Sequence, residues 1–241
     1  MKLLLVGHGR MGQMLEELIT SAEDLDLAGF VDTATISSLG ETERKADAVI
    51  DFSAPSALPW LLEYINRTGT ALVSGTTGYS REDLDTIRGL GSAAPVVYSA
   101  NYSVGVAVMK RLAAQMAEAL PGFDIEIVET HHNRKADAPS GTAKLLADAV
   151  DPQQALTKVY GRQGICGPRG KNELGIHSIR GGTVAGEHTV SFFGEDEVLS
   201  LSHSAASRRI FASGAIRAAR AIAALPAGFY TLEDILFGKE S

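Results

Sequence analysis

The sequence predicts an α/β protein: a Rossmann-like parallel-sheet domain joined to a second α+β domain whose sheet is mixed or antiparallel. Three observations predict it. Over the first hundred residues, short apolar runs alternate with helical patterns, as successive βαβ units require. A Gly7-x-Gly9-x-x-Gly12 loop follows the first apolar run, and Asp32 stands twenty residues beyond Gly12. From Phe123 onward, apolar and polar residues alternate singly, which describes strands with one dry and one wet face.

Leu3–Val6 form the first buried strand, and Met11, Leu15 and Leu18 repeat behind it at helical spacing. Further strands fit Leu27–Val31, Ala48–Phe52, Ala71–Ser74 and Pro95–Tyr98. Helices near Pro55–Asn66 and Ser80–Leu90 lie between the last three, each opening on a first-turn proline or a cap. Only about fifteen residues separate Asp32 from the next strand, so that crossover is short or irregular. Val104, Val108, Leu112 and Met116 trace one face of a longer helix that Pro121-Gly122 ends.

Phe123, Ile125 and Ile127 alternate with Asp124 and Glu126. The same rhythm returns at Val184, Gly186, His188, Val190 and Phe192, and where Leu199 and Leu201 interleave with Ser200 and Ser202. A stripe of Phe211, Ala215, Ala218, Ile222 and Leu225 marks a C-terminal helix without a partner strand, expected to pack back on the first domain. The expected division is 1–102 with 209–241 as a dinucleotide-binding domain, and 103–208 as a substrate-binding and oligomerisation domain.

Composition excludes several classes. A net charge of −7 and the lack of any long Lys/Arg run argue against nucleic acid as partner. The single cysteine, Cys166, can form no internal disulfide and suits a reducing compartment. Gly7–Arg10 interrupt the apolar start too early for a signal peptide, and no stretch approaches the roughly 18 apolar residues of a membrane span. A soluble, cytoplasmic protein without a membrane partner is expected.

In the glycine loop, Gly7-His8-Gly9-Arg10-Met11-Gly12, the glycines permit a tight turn and close approach of a pyrophosphate to the helix N-terminus. Glycine triplets also occur in plain turns; here the loop follows a strand, and Asp32 stands where a carboxylate would accept hydrogen bonds from a ribose diol. Arg10 points to a phosphate or is simply an exposed loop residue, and His8 reads equally in either way. Asp51-Phe52-Ser53 and Gly75-Thr76-Thr77-Gly78 lie at the ends of parallel strands, where such sheets bind ligands, and the second could approach a nicotinamide carboxamide or be an ordinary turn. Asp32 favours NADH, because a 2′-phosphate would meet a like charge; Thr33, Ala34 and Thr35 follow it, and the nearest basic residues are Arg44 and Lys45. NADPH is the possible second cofactor.

Glu129 to Ala143, ETHHNRKADAPSGTA, is the most informative stretch. His131, His132, Arg134 and Lys135 crowd a strand end, and Pro139–Thr142 start a helix whose free N–H groups suit a carboxylate. The segment therefore fits a small anionic substrate and supplies proton donors. Metal binding is set aside, because adjacent histidines on a strand face opposite ways and no Cys or H-x-x-x-H spacing supports a site. A solvated basic loop is the plain alternative. His177, His188 and His203 read as hydrogen-bonded structural histidines.

His131 to Ala143 resembles the signature of dihydrodipicolinate reductases, in which H-H-x-x-K precedes D-A-P-S-G-T-A. The resemblance extends to Gly75–Gly78, Ser99–Gly105, Gly161-Arg162, Arg180–Thr189 and the helix around Arg208–Ala219, in order along nearly the whole chain. It implies NAD(P)H-dependent reduction of 4-hydroxy-tetrahydrodipicolinate in lysine and diaminopimelate biosynthesis. It implies cofactor contacts at Gly7–Gly12, Asp32, Gly75, Thr76, Thr77, Ser99, Ala100, Asn101 and Tyr102. His131 would be the acid/base and Lys135 the proton donor, with the dicarboxylate held by His132, Gly141 and Thr142. A homotetramer formed through the second sheet is also implied. Two features depart from the family pattern: the segment after the second strand is shorter, and Ser53 stands where threonine is common. Another dehydrogenase of a small dicarboxylate, or a cofactor-sensing regulator, are the alternatives; a sensor has no use for His131, Lys135 and an anion site together.

Overall fold

The computed structural model describes residues 1–32, 34–40, 43 and 46–238. The chain divides into two compact units, Met1–Val104 with Arg209–Ser241, and Gly105–Arg208.

The first unit is built on six parallel strands: β1 (Lys2–Val6), β2 (Asp26–Val31), β3 (Ala48–Asp51), β4 (Ala71–Ser74), β5 (Pro95–Tyr98) and β11 (Gly228–Tyr230). Their order is β11-β5-β4-β3-β1-β2, so the winding reverses between β1 and β3 and opens a crevice at the carboxyl ends of those strands. Leu3, Leu5, Val49, Ile50 and Val73 are wholly buried, which is why these strands read as unbroken apolar runs. Helix α1 (Arg10–Thr20) buries Gly12, Leu15 and Ile19. Helix α2 (Leu58–Thr68) follows a 3₁₀ turn over Pro55–Ala57 and ends on Gly69 in the left-handed conformation. Helix α3 (Arg81–Gly89) starts in a capping box between Ser80 and Asp83.

Two readings of the sequence are corrected here. The C-terminal helix, α6 (Arg209–Ile222), is not without a strand: it leads to β11, which extends the sheet beside β5. Three residues, Gly-Phe-Tyr, are too few to show a period. Helix α6 packs on α1, β3, β4 and β5 through Ala212, Gly214, Ala215, Ala218 and Ala219, small residues that allow close approach. A Cβ at Gly214 would collide with the Tyr102 carbonyl. The second correction concerns α4 (Val104–Ala119): Val108 and Leu112 are exposed, and Val106, Ala107, Met109 and Ala113 form the buried face. Apolar residues cover more than half of this helix's circumference, on both sides of Lys110, Arg111, Gln115 and Glu118, so spacing alone does not select its inward side.

In the second unit a mixed sheet runs β10-β9-β6-β8-β7, from β6 (Asp124–His131), β7 (Thr157–Val159), β8 (Glu173–Arg180), β9 (Gly186–Phe193) and β10 (Val198–Ala205). Strand β6 pairs parallel with β8 and antiparallel with β9. Ile125, Ile127, Leu174, Val190 and Phe192 pack with Met109 and Ala113 of α4 and with Leu146 of α5 (Gly141–Val150). The opposite face carries Ile179, Phe193 and Val198, all exposed. Among the described residues, no helix is long and apolar enough to cross a membrane.

Candidate active site

In the first unit the crevice is shaped by close packing of backbone. Gly7 has φ +91°, and a Cβ there would stand 2.5 Å from the Phe52 carbonyl oxygen. A Cβ on Gly12 would run into the Gly7 carbonyl oxygen. Gly9, the N-cap of α1, is different: a Cβ there would meet nothing within 4 Å. The helix start has neither a side-chain cap nor an acidic first turn, which leaves its N–H groups to an outside anion. A cavity of about 600 Å³ opens here, lined by Gly7, His8, Gly9, Asp32, Ile36 and Ser53. The open position at Gly9, the uncapped helix and this volume fit a dinucleotide.

His8 stacks on Phe30, rings 3.9 Å apart, and its Nε2 lies 2.6 Å from a Glu16 carboxylate oxygen. Arg10 and Met11 open α1, Arg10 exposed and Met11 half-buried. Asp32, just past β2, folds into a turn in which Oδ1 accepts from Ala34 N (2.9 Å), Thr35 N (3.1 Å) and Thr35 Oγ1 (3.0 Å). The Thr35 hydroxyl and these backbone N–H groups hold its carboxyl below the usual range, so it stays ionised. Thr33, Arg44 and Lys45 lie outside the described residues.

On the other side of the crevice, Gly75 lies so close to the Phe52 ring that a Cβ would overlap it. Thr76 is buried, and its Oγ1 accepts from Ser53 N at 2.8 Å, while Thr77 is exposed. Asp51-Phe52-Ser53, read from the sequence as a ligand-facing strand end, also joins these loops, which the sequence does not show. Asp51, at the end of β3, is fully buried and accepts from Ser53 N and Oγ (3.1 and 2.5 Å), Ser74 Oγ (2.8 Å) and Tyr79 Oη (3.3 Å). Burial pushes its carboxyl up against the opposing pull of those hydrogen bonds. The signal was one charged residue closing an otherwise apolar strand.

After β5, Ser99 Oγ donates to the Asn101 carbonyl, and Asn101 Oδ1 accepts from Ser103 N. Ala100 is exposed at the tip. Tyr102 is buried with its hydroxyl on the carbonyls of Ser74 and Val97, so its side chain braces this loop from below.

In the second unit, strand parity places Glu129 and His131 on the core side of β6 at its carboxyl end. His131 Nδ1 lies 2.5 Å from Glu129 Oε2, and Arg180 of β8 clasps both Glu129 oxygens. Ser140 caps α5: its Oγ accepts from Ala143 N, and its own N–H donates to Glu129 Oε1 at 3.1 Å. The N–H groups of Ser140 and Ala143 are thus satisfied within the protein, and Gly141 and Thr142 open the helix between them. Gly141 is exposed, with nothing within 4 Å of the place a Cβ would take.

Lys135 Nζ is chelated by both oxygens of Asp137, at 2.8 and 2.9 Å. His132 is pushed toward its neutral form, by burial first and then by the charges of Arg208, Arg134, His131 and Lys135. Among the described residues, no three His, Cys, Asp or Glu side chains gather in a way that could hold a metal.

His188 is hydrogen-bonded as anticipated, Nε2 to Ser140 Oγ at 3.1 Å, yet it also meets the edge of His131, rings 5.2 Å apart. Burial lowers its pKa to about 4. Sequence reasoning did not single out Glu129, Ser140, Arg180 or Arg208. Parity with His131 and the Ser-Gly-Thr helix start were signals for the first two; Arg180 and Arg208 needed the fold.

Residues 1–102 match the family profile described as dihydrodipicolinate reductase, N-terminus, and residues 105–236 the one described as dihydrodipicolinate reductase, C-terminus. A 4-hydroxy-tetrahydrodipicolinate reductase of Exiguobacterium sp. strain AT1b is 42% identical over 238 residues, covering 98% of this chain and 95% of that protein. One from Brachyspira hyodysenteriae is 41% identical over 240 residues, covering 98% and 100%. Among solved structures, a dipicolinate-bound dihydrodipicolinate reductase from Paenisporosarcina sp. TG-14 shares the fold with a TM-score of 0.78 at 23% identity, covering 95% of this chain and 97% of that one.

Proposed function

This chain belongs to the dihydrodipicolinate reductase family, and on that premise we propose that it reduces 4-hydroxy-tetrahydrodipicolinate to tetrahydrodipicolinate with NAD(P)H, in lysine and diaminopimelate biosynthesis. The observation that carries the reading is the end of β6, where an imidazole and an ammonium stand with the Ser140-capped start of α5.

Gly7–Gly12 and the start of α1 hold the pyrophosphate, Asp32 the adenosine ribose, and Gly75–Thr77 with Ser99–Tyr102 the nicotinamide side. A reduced nicotinamide, when bound, supplies the hydride. The chain's own residues must neutralise two carboxylates and deliver one proton. His132 and the N–H groups of Gly141 and Thr142 receive the carboxylates, aided by the helix dipole. His131 acts as acid/base and Lys135 donates the proton; the Asp137 clamp holds the ammonium in place until an anionic substrate competes for it.

NADH is the preferred cofactor and NADPH the alternative, because an ionised Asp32 accepts from a ribose diol and repels a 2′-phosphate. The exposed Ile179, Phe193 and Val198 support a homotetramer built through the outer face of the second sheet. One free, exposed cysteine supports a cytoplasmic location. The purified chain, given NADH and enzymatically generated substrate, is expected to oxidise the cofactor only when that substrate is present. Absence of turnover with either cofactor would refute the reading.

A further inference from the structure

Glu129 has none of the roles assigned above, yet the substrate-side machinery is tied to it. Its side chain is 0% exposed, and the Arg180 guanidinium and the Ser140 N–H donate to the carboxylate while His131 Nδ1 lies against it. Oε2 faces His131 Nδ1 at 2.5 Å and Arg180 Nη1 at 2.9 Å; Oε1 faces Arg180 Nη2 at 2.8 Å and Ser140 N at 3.1 Å. One carboxylate therefore grips the imidazole and the N-cap of the helix assigned to the substrate. Burial alone would drive it toward the neutral acid, but the Arg180 fork and its other hydrogen bonds outweigh that and bring its pKa down to about 2. An imidazole nitrogen facing an ionised carboxylate carries the proton, which leaves the other nitrogen as the working one. That other nitrogen, Nε2, lies over Gly186 of β9, where a Cβ would stand 3.0 Å away, so the glycine keeps room around it.

We infer that Glu129 is a positioning residue for the reduction: braced by Arg180, it fixes His131 with its proton on Nδ1 and Nε2 free to work, in register with the N-terminus of α5. The inference rests on the reading of His131 as the acid/base. Glutamine at this position offers one oxygen to four N–H groups, so its amide nitrogen must face donors.

Two measurements test this. In the full-length protein with ring-15N-labelled histidine, the neutral His131 ring is expected to show a protonated Nδ1, its signal assigned by its loss in His131→Gln. A protonated Nε2 would overturn the inference, and this readout does not depend on any Glu129 variant folding. In steady-state assays Glu129→Gln is expected to lower kcat by roughly a hundredfold, with KM for both substrates within about threefold, because a lost proton-transfer geometry acts on the chemical step. If His131→Gln is inactive while Glu129→Gln turns over normally, the positioning role is wrong and the role of His131 stands. If His131→Gln itself turns over normally, the parent reading fails and this inference fails with it.

Discussion

Gly9 and Gly12 of the first loop are expected to fail in different ways when each is given a methyl group, and Gly9→Ala is the decisive substitution. Its backbone, at φ −76° and ψ −159°, is ordinary for an L-residue, and a Cβ would meet nothing within 4 Å. Alanine is a poorer N-cap than glycine by roughly 0.5–1 kcal/mol, but it lowers the entropy of the unfolded chain by a comparable amount, so stability should change by no more than about 0.5 kcal/mol. At Gly12 the same methyl collides with the Gly7 carbonyl oxygen, an overpacking expected to cost about 1–3 kcal/mol. Cofactor binding should separate the two further. The Gly9 methyl occupies the surface on which a pyrophosphate would rest, and a loss of at least about tenfold in NADH affinity, about 1.4 kcal/mol, is expected from a protein that unfolds normally. Urea denaturation with NADH titration by calorimetry on the same samples reads both quantities. Wild-type NADH affinity in Gly9→Ala would refute the placement of the pyrophosphate.

Asp51→Asn should alter the pH dependence of stability. Burial raises the folded-state pKa above the ordinary carboxyl value of 3.8, so the carboxyl's favourable contribution is full below that value and is lost as pH rises through the folded pKa. Each unit of difference is worth about 1.4 kcal/mol. Melting curves across an acid-to-neutral series should show this descent in the wild type and its absence in the variant; parallel profiles would contradict it. His131→Gln and Lys135→Ala should each lower kcat by about a hundredfold or more and leave NADH affinity unchanged, and near-normal turnover in either would remove that residue from the mechanism. NADH should exceed NADPH in kcat/KM by about tenfold, or 1.4 kcal/mol, and a clear NADPH preference would overturn the role given to Asp32. Phe193→Arg should lower the assembly mass measured by sedimentation, an unchanged mass excluding that face from the interface.

What could be read from the residues divides along physical lines. Strands buried on both faces are continuous apolar runs, so β1, β3, β4 and β5 were visible, and the glycine loop announced itself by its place after the first of them. Strand parity exposed β6, β9 and β10, whereas β8, with sequence Glu-Leu-Gly-Ile-His-Ser-Ile-Arg, has no clean alternation to betray it. The residues proposed for the site, from His131 to Thr142, stand out in the sequence because cationic side chains crowd a strand end beside a helix start. Their supports were not. Arg180 reaches Glu129 from 51 residues away in sequence, and Ser74 and Tyr79 reach Asp51 from other elements. A buried polar network is a property of three dimensions, and composition gives only its members.

The route of the chain has a consequence for how the protein is made. Strand β11 pairs with β5 across more than a hundred intervening residues, and α6 covers β3, β4 and β5 only after the whole of 105–208 has been synthesised. The nascent parallel sheet must therefore wait on the ribosome with one apolar flank bare, while the intervening unit, whose strand pairings lie wholly within itself, can mature first. Such a waiting period favours capture by chaperones, and any premature stop between residues 105 and 208 would yield a product whose oldest residues are the ones most exposed to aggregation.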